Sequence, residues 1–515
     1  MAWVLRLLLW FSLATLPDGV HAEGGFDLEQ VVDRARQLAA ERHVPPAPVP
    51  RFLRELDYDA WRNIRFDPEQ SLWREDGGPF QVMLVLPGLY YWHPVSLNVV
   101  EQGEVRPVPF ARGQYLFADR ELERRVPSDL GHAGFTLTHP LSGRIGEYNQ
   151  FLVFAGASYF RAVGRDSHFG LSARGLAVDT GLPRGEQFPA FTTFWLVRPE
   201  PGAHSMVVYA LLEGEQVTGA YRFDVTPGDP TLIGVQAVLF PRRAIELPGL
   251  APLTSMFFHG RHTPRPRGEW RPQVHDSDGL LMRDADSGEW LWRPLINPEV
   301  LTQDFFEVGE LSGFGLLQRD REFTSYQDLE AHYHRRPSAW VTPVGRWGAG
   351  RVVLTQLPTP DETHDNIVAF WQPASLPEQG EYRFAYTLAI GAGDLARHEL
   401  GQVRHTLVGD GNRIGGGNVE GALRLLVDFS GPALRQLAPT AAVTGQVTAL
   451  EGSELVEQFV QYNAPCGCWR LSMLVRPGPS GELAVRAYLR HGDDSLTETW
   501  SYRLPPGQRR PGAGH

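Results

Sequence analysis

At 515 residues the chain exceeds what one ordinary hydrophobic core holds, so two domains are expected. A content of 42% hydrophobic and 21% charged residues, with no low-complexity tract, argues against a disordered protein. A formal net charge of -12 without a basic stripe argues against a nucleic-acid partner, because neutralising phosphates requires clustered Lys and Arg.

The first residues, MAWVLRLLLWFSLATLPDGVHA, combine the single basic residue Arg6, an apolar run from Val4 to Leu16, and small-residue positions at Val20 and Ala22. This layout predicts a Sec-type signal peptide, residues 1–22, cleaved after Ala22, and the run is too short to span a membrane. From Phe26 to Arg42 the apolar residues Leu28, Val31, Val32, Ala35, Leu38 and Ala39 recur at helical spacing until Pro45 and Pro46 end the pattern. The spacing predicts one helix capping an edge or an end of β structure.

Beyond Trp61 the pattern becomes short apolar or alternating runs: 80–86, 94–100, 150–154, 191–196, 206–212, 219–225 and 232–239, bounded by Gly, Pro, Asp or Asn. Many strands in succession without intervening amphipathic helices exclude Rossmann and TIM arrangements and predict an all-β protein of stacked antiparallel sheets. After 391–404, six further runs between Ala422 and Leu504 have the count and spacing of an immunoglobulin-like sandwich. GDGNRIGGGN, 409–418, lacks Rossmann spacing and reads as a turn. Cys466 and Cys468 are the only cysteines; a bridge across Gly467 is strained but open, and two thiols alone make no zinc site. The pairs His259/His262 and His332/His334 lack a third ligand, so no metal and no cofactor are expected.

Two acid-rich segments invite a chemical reading. VHDSDGLLM holds Asp276 and Asp278, which would share a face on a strand or crowd together in a turn; PDETHDNIVAFW holds Asp361, Glu362 and Asp365 ahead of an apolar strand. Cleaving a glycosidic bond needs one protonated carboxyl to donate to the leaving oxygen and one carboxylate to activate water. The same acids also suit Asx turns that cap their own backbone. Aromatic residues cluster nearby, including Trp270, Trp292, Tyr333, Trp340, Trp347 and Trp371, with Tyr90, Tyr91, Trp92 and Tyr159 upstream. Their rings could stack on the C–H faces of sugars, or could simply fill the core.

The segments YNQFLVFAGASYFRAVG, FGLSARGLAVDTG, LAPLTSMF, HDSDGL, WRPLINP, GFGLLQRDREFTSYQD, RPSAWVTPVGRWGAG and ETHDNIVAFWQP closely resemble the osmoregulated periplasmic glucan biosynthesis proteins G and D, across nearly the whole mature chain. The missing twin-Arg signal leans toward the G branch. The resemblance implies a large N-terminal β-supersandwich of the galactose-mutarotase-like type (23–391), a short helical linker (392–403) and an immunoglobulin-like domain (404–515). It implies a periplasmic location and action on the β-1,2-glucan backbone as an anomer-inverting endo-glucanase. The alternatives are an inverting transglycosylase and a non-catalytic glucan-binding scaffold for a membrane glucan synthase. By position, the family's general acid falls on Asp365 and its general base on Asp276. Glu362 and Asp278 also match family acids, and His364 departs from the family pattern. Glu362, Asp278, Trp347, Trp371, Tyr333, Tyr159 and Arg161 are the expected sugar-binding side chains.

Overall fold

The computed structural model describes residues 25–144, 146–396, 398–413 and 416–508. The expected signal peptide lies outside them. The protein is all-β, and among the described residues two large sheets dominate, one of ten strands and one of fifteen. The ten-stranded sheet carries Gln81–Val85, Gly134–His139, Asn149–Ala155, Tyr159–Ala162, Pro248–Ser255, Ile367–Pro373 and Gly350–Gln356. The fifteen-stranded sheet includes the meander Ala190–Val197, Met206–Glu213, Val217–Thr226 and Thr231–Pro241, paired onward to Tyr382–Gly391.

These sheets stack face to face because each strand turns alternate apolar residues inward. In Thr231–Pro241, Ile233, Val235, Ala237 and Leu239 enter the main core while Leu232 stays exposed. An aromatic seam joins the layers: Phe135 and Phe154 of one sheet meet Phe194 and Phe223 of the other at centroid distances of 5.0–5.5 Å.

The predicted helix forms as Leu28–Ala40, with Asp27 accepting from the N–H of Gln30 at its start. Its buried Val31, Val32, Ala35 and Leu38 cover Tyr209, Leu211, Ala220, Val238 and Phe240 on the outer face of the meander. It therefore lies across a sheet face rather than at an edge or an end. Thirteen residues are marginal as a free helix, and each fully buried Val or Leu stabilises the docked one by about 1.5–3 kcal/mol.

In the C-terminal part, the four-stranded sheet of Gln402–Asn412, Asn418–Ser430, Cys468–Arg476 and Glu454–Asn463 packs on Val443–Leu450, Leu483–His491 and Thr499–Leu504. The latter three are not a separate sheet. Thr499–Leu504 runs parallel beside Trp290–Pro294, pairing Leu291 with Thr499 and Trp292 with Trp500, so the fifteen-stranded sheet continues through both halves. One core holds Trp290, Trp292 and Trp340 together with Phe429, Leu471 and Trp500. The expected linker carries no helix among its described residues, and the strand Gln402–Asn412 begins within its span. GDGNRIGGGN falls at the turn of the hairpin made by that strand and Asn418–Ser430, with 414–415 outside the described residues. Cys466 and Cys468 form a disulfide.

Candidate active site

Both acid-bearing segments are tied to one short stretch of backbone, Ser255–Phe257, at the end of the buried strand Pro248–Ser255. The N–H of Asp276 donates to Met256 O at 2.8 Å. Asn366, next to Asp365, donates its N–H to Ser255 O and its side-chain amide to Phe257 O, and accepts from the N–H of Phe257 at 2.8 Å. Asn366 is buried and also donates to Leu357 O, which closes the base of the Asp365 loop. Farther along this loop Asn297 and Thr359 bond reciprocally, and Asp361 caps the N–H of Thr363. The Asx-turn reading thus fits Asp361, while Asp365 has no capping bond of this kind.

Asp276 is buried and Asp365 half-buried, and their charges act on each other. Burial, with a smaller push from the Asp365 charge, outweighs the pull of Arg336 and Arg161 and holds the Asp276 carboxyl up at about 6. Burial also raises Asp365, opposed by Arg161, Arg174 and Arg336. Arg161 lies 3.8 Å from Asp365 Oδ2, its Nε donating to Ser172 Oγ at 2.7 Å; Arg336 Nε lies 3.2 Å from Asp276 Oδ1. Paired carboxyls shifted upward beside fixed guanidinium groups can hold and exchange protons.

An aromatic groove adjoins the pair. Tyr159, whose ring lies 4.8 Å from the buried Arg174 guanidinium, feels the charge of Asp365, and Tyr91 feels that of Arg161. These two rings line a cavity of about 470 Å³ with the exposed Tyr90, Trp92 and Phe188. Tyr333 is buried under Arg336 and feels both Asp276 and Glu362. Glu362 is clasped by Arg271 at 2.7 and 3.1 Å, and Arg271 also binds Glu269 and Asp328, beside the exposed Trp270.

The structure thus gathers Asp276, Asp365, Arg161, Tyr159 and Tyr333, with Glu362 at the margin, but it does not gather the other expected residues. Trp371 is fully buried, and Trp347 packs against it while donating to Ala385 O, so both belong to the main core. Asp278 is held by different strands. It receives the N–H groups of Arg319 and Asp320 at 3.0 and 3.1 Å and lines a pocket of about 40 Å³ with Trp292, Val403 and His405, at the junction with the C-terminal strands. The sequence reading overlooked Arg336, Arg271, Arg174 and Asn366. The segments RPSAW, FGLSAR and ETHDN contain three of them, so the signal was present without a means of ranking it.

Burial pushes the Asp278 carboxyl up to about 7 against the pull of Arg319, which yields a pH test. A carboxyl raised above its unfolded value favours the folded state most below about pH 4, and that contribution is lost as pH rises toward 7. Asp278→Asn cannot titrate. Urea denaturation should therefore show the variant gaining roughly 2 kcal/mol relative to the parent between about pH 5 and pH 8. A pH-independent difference would contradict a neutral Asp278.

Fold and site together define an all-β sandwich protein with a carboxyl pair, one buried and one half-buried, beside an aromatic groove. The chain belongs to the family described as "Periplasmic glucan biosynthesis protein, MdoG", which it matches over residues 26–504. It is 44% identical over 489 residues to "Glucans biosynthesis protein G" of Ralstonia nicotianae, covering 94% of this chain and 96% of the relative. It is 41% identical over 491 residues to the protein of the same description from Pseudomonas aeruginosa, covering 93% of each. Among solved structures, the Slr1438 protein from Synechocystis sp. aligns with a TM-score of 0.19 and 9% identity over 51% of this chain and 93% of that one, a likeness too slight to bear on the fold.

Proposed function

We propose that the protein is an inverting endo-β-1,2-glucanase that trims the backbone of periplasmic glucans. Asp365 donates a proton to the leaving glycosidic oxygen as the C–O bond breaks. Asp276 takes a proton from the water whose oxygen forms the new bond at the anomeric carbon. The observation that carries this reading is a pair of upward-shifted carboxyls, one acting on the other and each set beside a guanidinium, Asp365 beside Arg161 and Asp276 beside Arg336. Exposed rings at Tyr90, Trp92 and Phe188, with Trp270 near the Glu362 end, favour a chain bound along its length and cut internally. We assign glucan handling to residues 23–391 and a supporting role to the immunoglobulin-like part. A membrane glucan synthase is the partner that would supply the chain. Export would be accompanied by cleavage after Ala22, so N-terminal sequencing of periplasmic protein should begin at Glu23.

The deciding experiment incubates the purified mature protein with linear β-1,2-glucan and follows product size and anomer by NMR. Shortened chains released as the α anomer are expected. An initial β anomer would overturn inversion, elongated or cyclic products would indicate transfer to a sugar hydroxyl, and an unchanged substrate would overturn the enzymatic reading.

A further inference from the structure

Asp276 and Arg336 make an unusual contact. Arg336 Nε and Asp276 Oδ1 are both buried and stand 3.2 Å apart, yet they are not aligned as a hydrogen bond, and neither atom has another protein partner. Two opposite charges at that distance attract strongly, and the lone pairs of Oδ1 nevertheless stay free. The turn that carries Arg336 is well fixed. Its N–H donates to Tyr333 O, its carbonyl accepts from Arg321 Nη1 at 2.8 Å, and the guanidinium lies 5.5 Å from the Tyr333 ring centre.

Gly170, about halfway along the sequence to Arg336, makes room for this arrangement. A Cβ built on it would stand 2.9 Å from Arg336 Cδ, 3.3 Å from Arg336 Cβ and 3.4 Å from Asp276 Cγ. Its φ lies outside the left-handed region, so space rather than backbone conformation is what a side chain would lack there. Other charged or titratable groups also face the pair. Arg161 and Asp365 act on Asp276 from their own strand and loop, Tyr333 packs beneath the guanidinium, and His168 feels the Arg336 charge from the segment leading to Gly170. His168 in turn packs at a tilt against His332, with ring centroids 4.7 Å apart, and contacts Arg335.

We propose that Arg336, seated in the space Gly170 leaves, is the positioning residue for Asp276, orienting its carboxyl for proton exchange while leaving Oδ1 free to accept. This rests on reading Asp276 as a proton-exchanging group. A fully formed Arg–carboxylate bond would occupy the oxygen that must receive the proton, whereas no guanidinium at all would leave the carboxyl buried, neutral and free to rotate.

Titrating the full mature chain by infrared difference spectroscopy, parent minus Asp276→Asn, reads the protonated carboxyl band of Asp276 directly. In Arg336→Met the midpoint should rise by about one pH unit. The acidic limb of the kcat/KM profile on linear β-1,2-glucan should move upward with it, because a base must be deprotonated to act. Gly170→Ala should shift the midpoint in the same direction by less. Arg336→Lys, which keeps the charge without the planar fork, should hold the midpoint and lower kcat more than it raises KM. Unmoved midpoints in both Arg336→Met and Gly170→Ala, with circular dichroism unchanged, would overturn the proposal. If Arg336→Met fails to fold, Gly170→Ala alone decides. Asp276→Asn cleaving at the parent rate would instead sink the assignment of Asp276 as base, and the infrared midpoints would still report on Arg336.

Discussion

Asp365→Asn should bind glucan and fold like the parent yet turn over at least about a hundredfold more slowly, since an amide matches the carboxyl in shape but cannot donate its proton to the leaving oxygen. The loop should survive the change. Its base is fixed by Asn366, its middle by the Arg271–Glu362 clasp, and its start by the Asn297–Thr359 pair, none of which uses Asp365. Burial favours a neutral Asp365, which Asn imitates, so binding measured by calorimetry should be preserved. Activity in the parent should fall as pH rises through the Asp365 pKa, and the variant should lose that alkaline limb. A parent-like rate with parent-like circular dichroism would remove Asp365 as the acid.

Arg319→Ala should destabilise the protein by about 3–5 kcal/mol, the scale seen when one partner of a buried ion pair is removed. Arg319 donates to both carboxylate oxygens of the fully buried Glu498 at 2.5 and 2.9 Å and to Val403 O, and its guanidinium lies 3.7 Å from the Trp292 ring centre. Its removal leaves Glu498 charged and enclosed at the junction of the two halves, with the N–H of Val403 and the more distant His398 as its remaining partners. Adding Glu498→Gln should recover much of the loss, because the amide oxygen can still accept from Val403. Urea midpoints of the parent, the two single variants and the double variant form the test. Single and double variants of equal stability would show that the charge is not what destabilises.

The sequence revealed the strands through their turn residues and the helix through its period, because both patterns depend on neighbours close in the chain. The positions of Trp371 and Asp278 were not legible in that way. Ile367–Pro373 is buried at every residue, so alternation gives no clue to which side faces a cleft. Asp276 and Asp278 lie between the strands Val274–His275 and Gly279–Asp284, and their hydrogen bonds go to Met256 and Leu317 respectively, so two-residue spacing did not put them on one face. The partners that shape Asp276, namely Gly170 and Arg336, arrive from distant segments. Local pattern carries no information about such encounters, and only the family resemblance picked Asp276 and Asp365 from the other acids.

The parallel pairing of Thr499–Leu504 with Trp290–Pro294 also bears on how the chain comes to be made. Thr499 bonds Glu289 across this seam although the two are 210 positions apart, so as synthesis proceeds from the N-terminus the strand Trp290–Pro294 waits with one unpaired edge until some two hundred more residues have emerged. Such a late, non-local closure slows folding and leaves a nascent chain with an adhesive border. A binding factor that shields this border during the wait would raise the yield of native protein without touching the finished molecule.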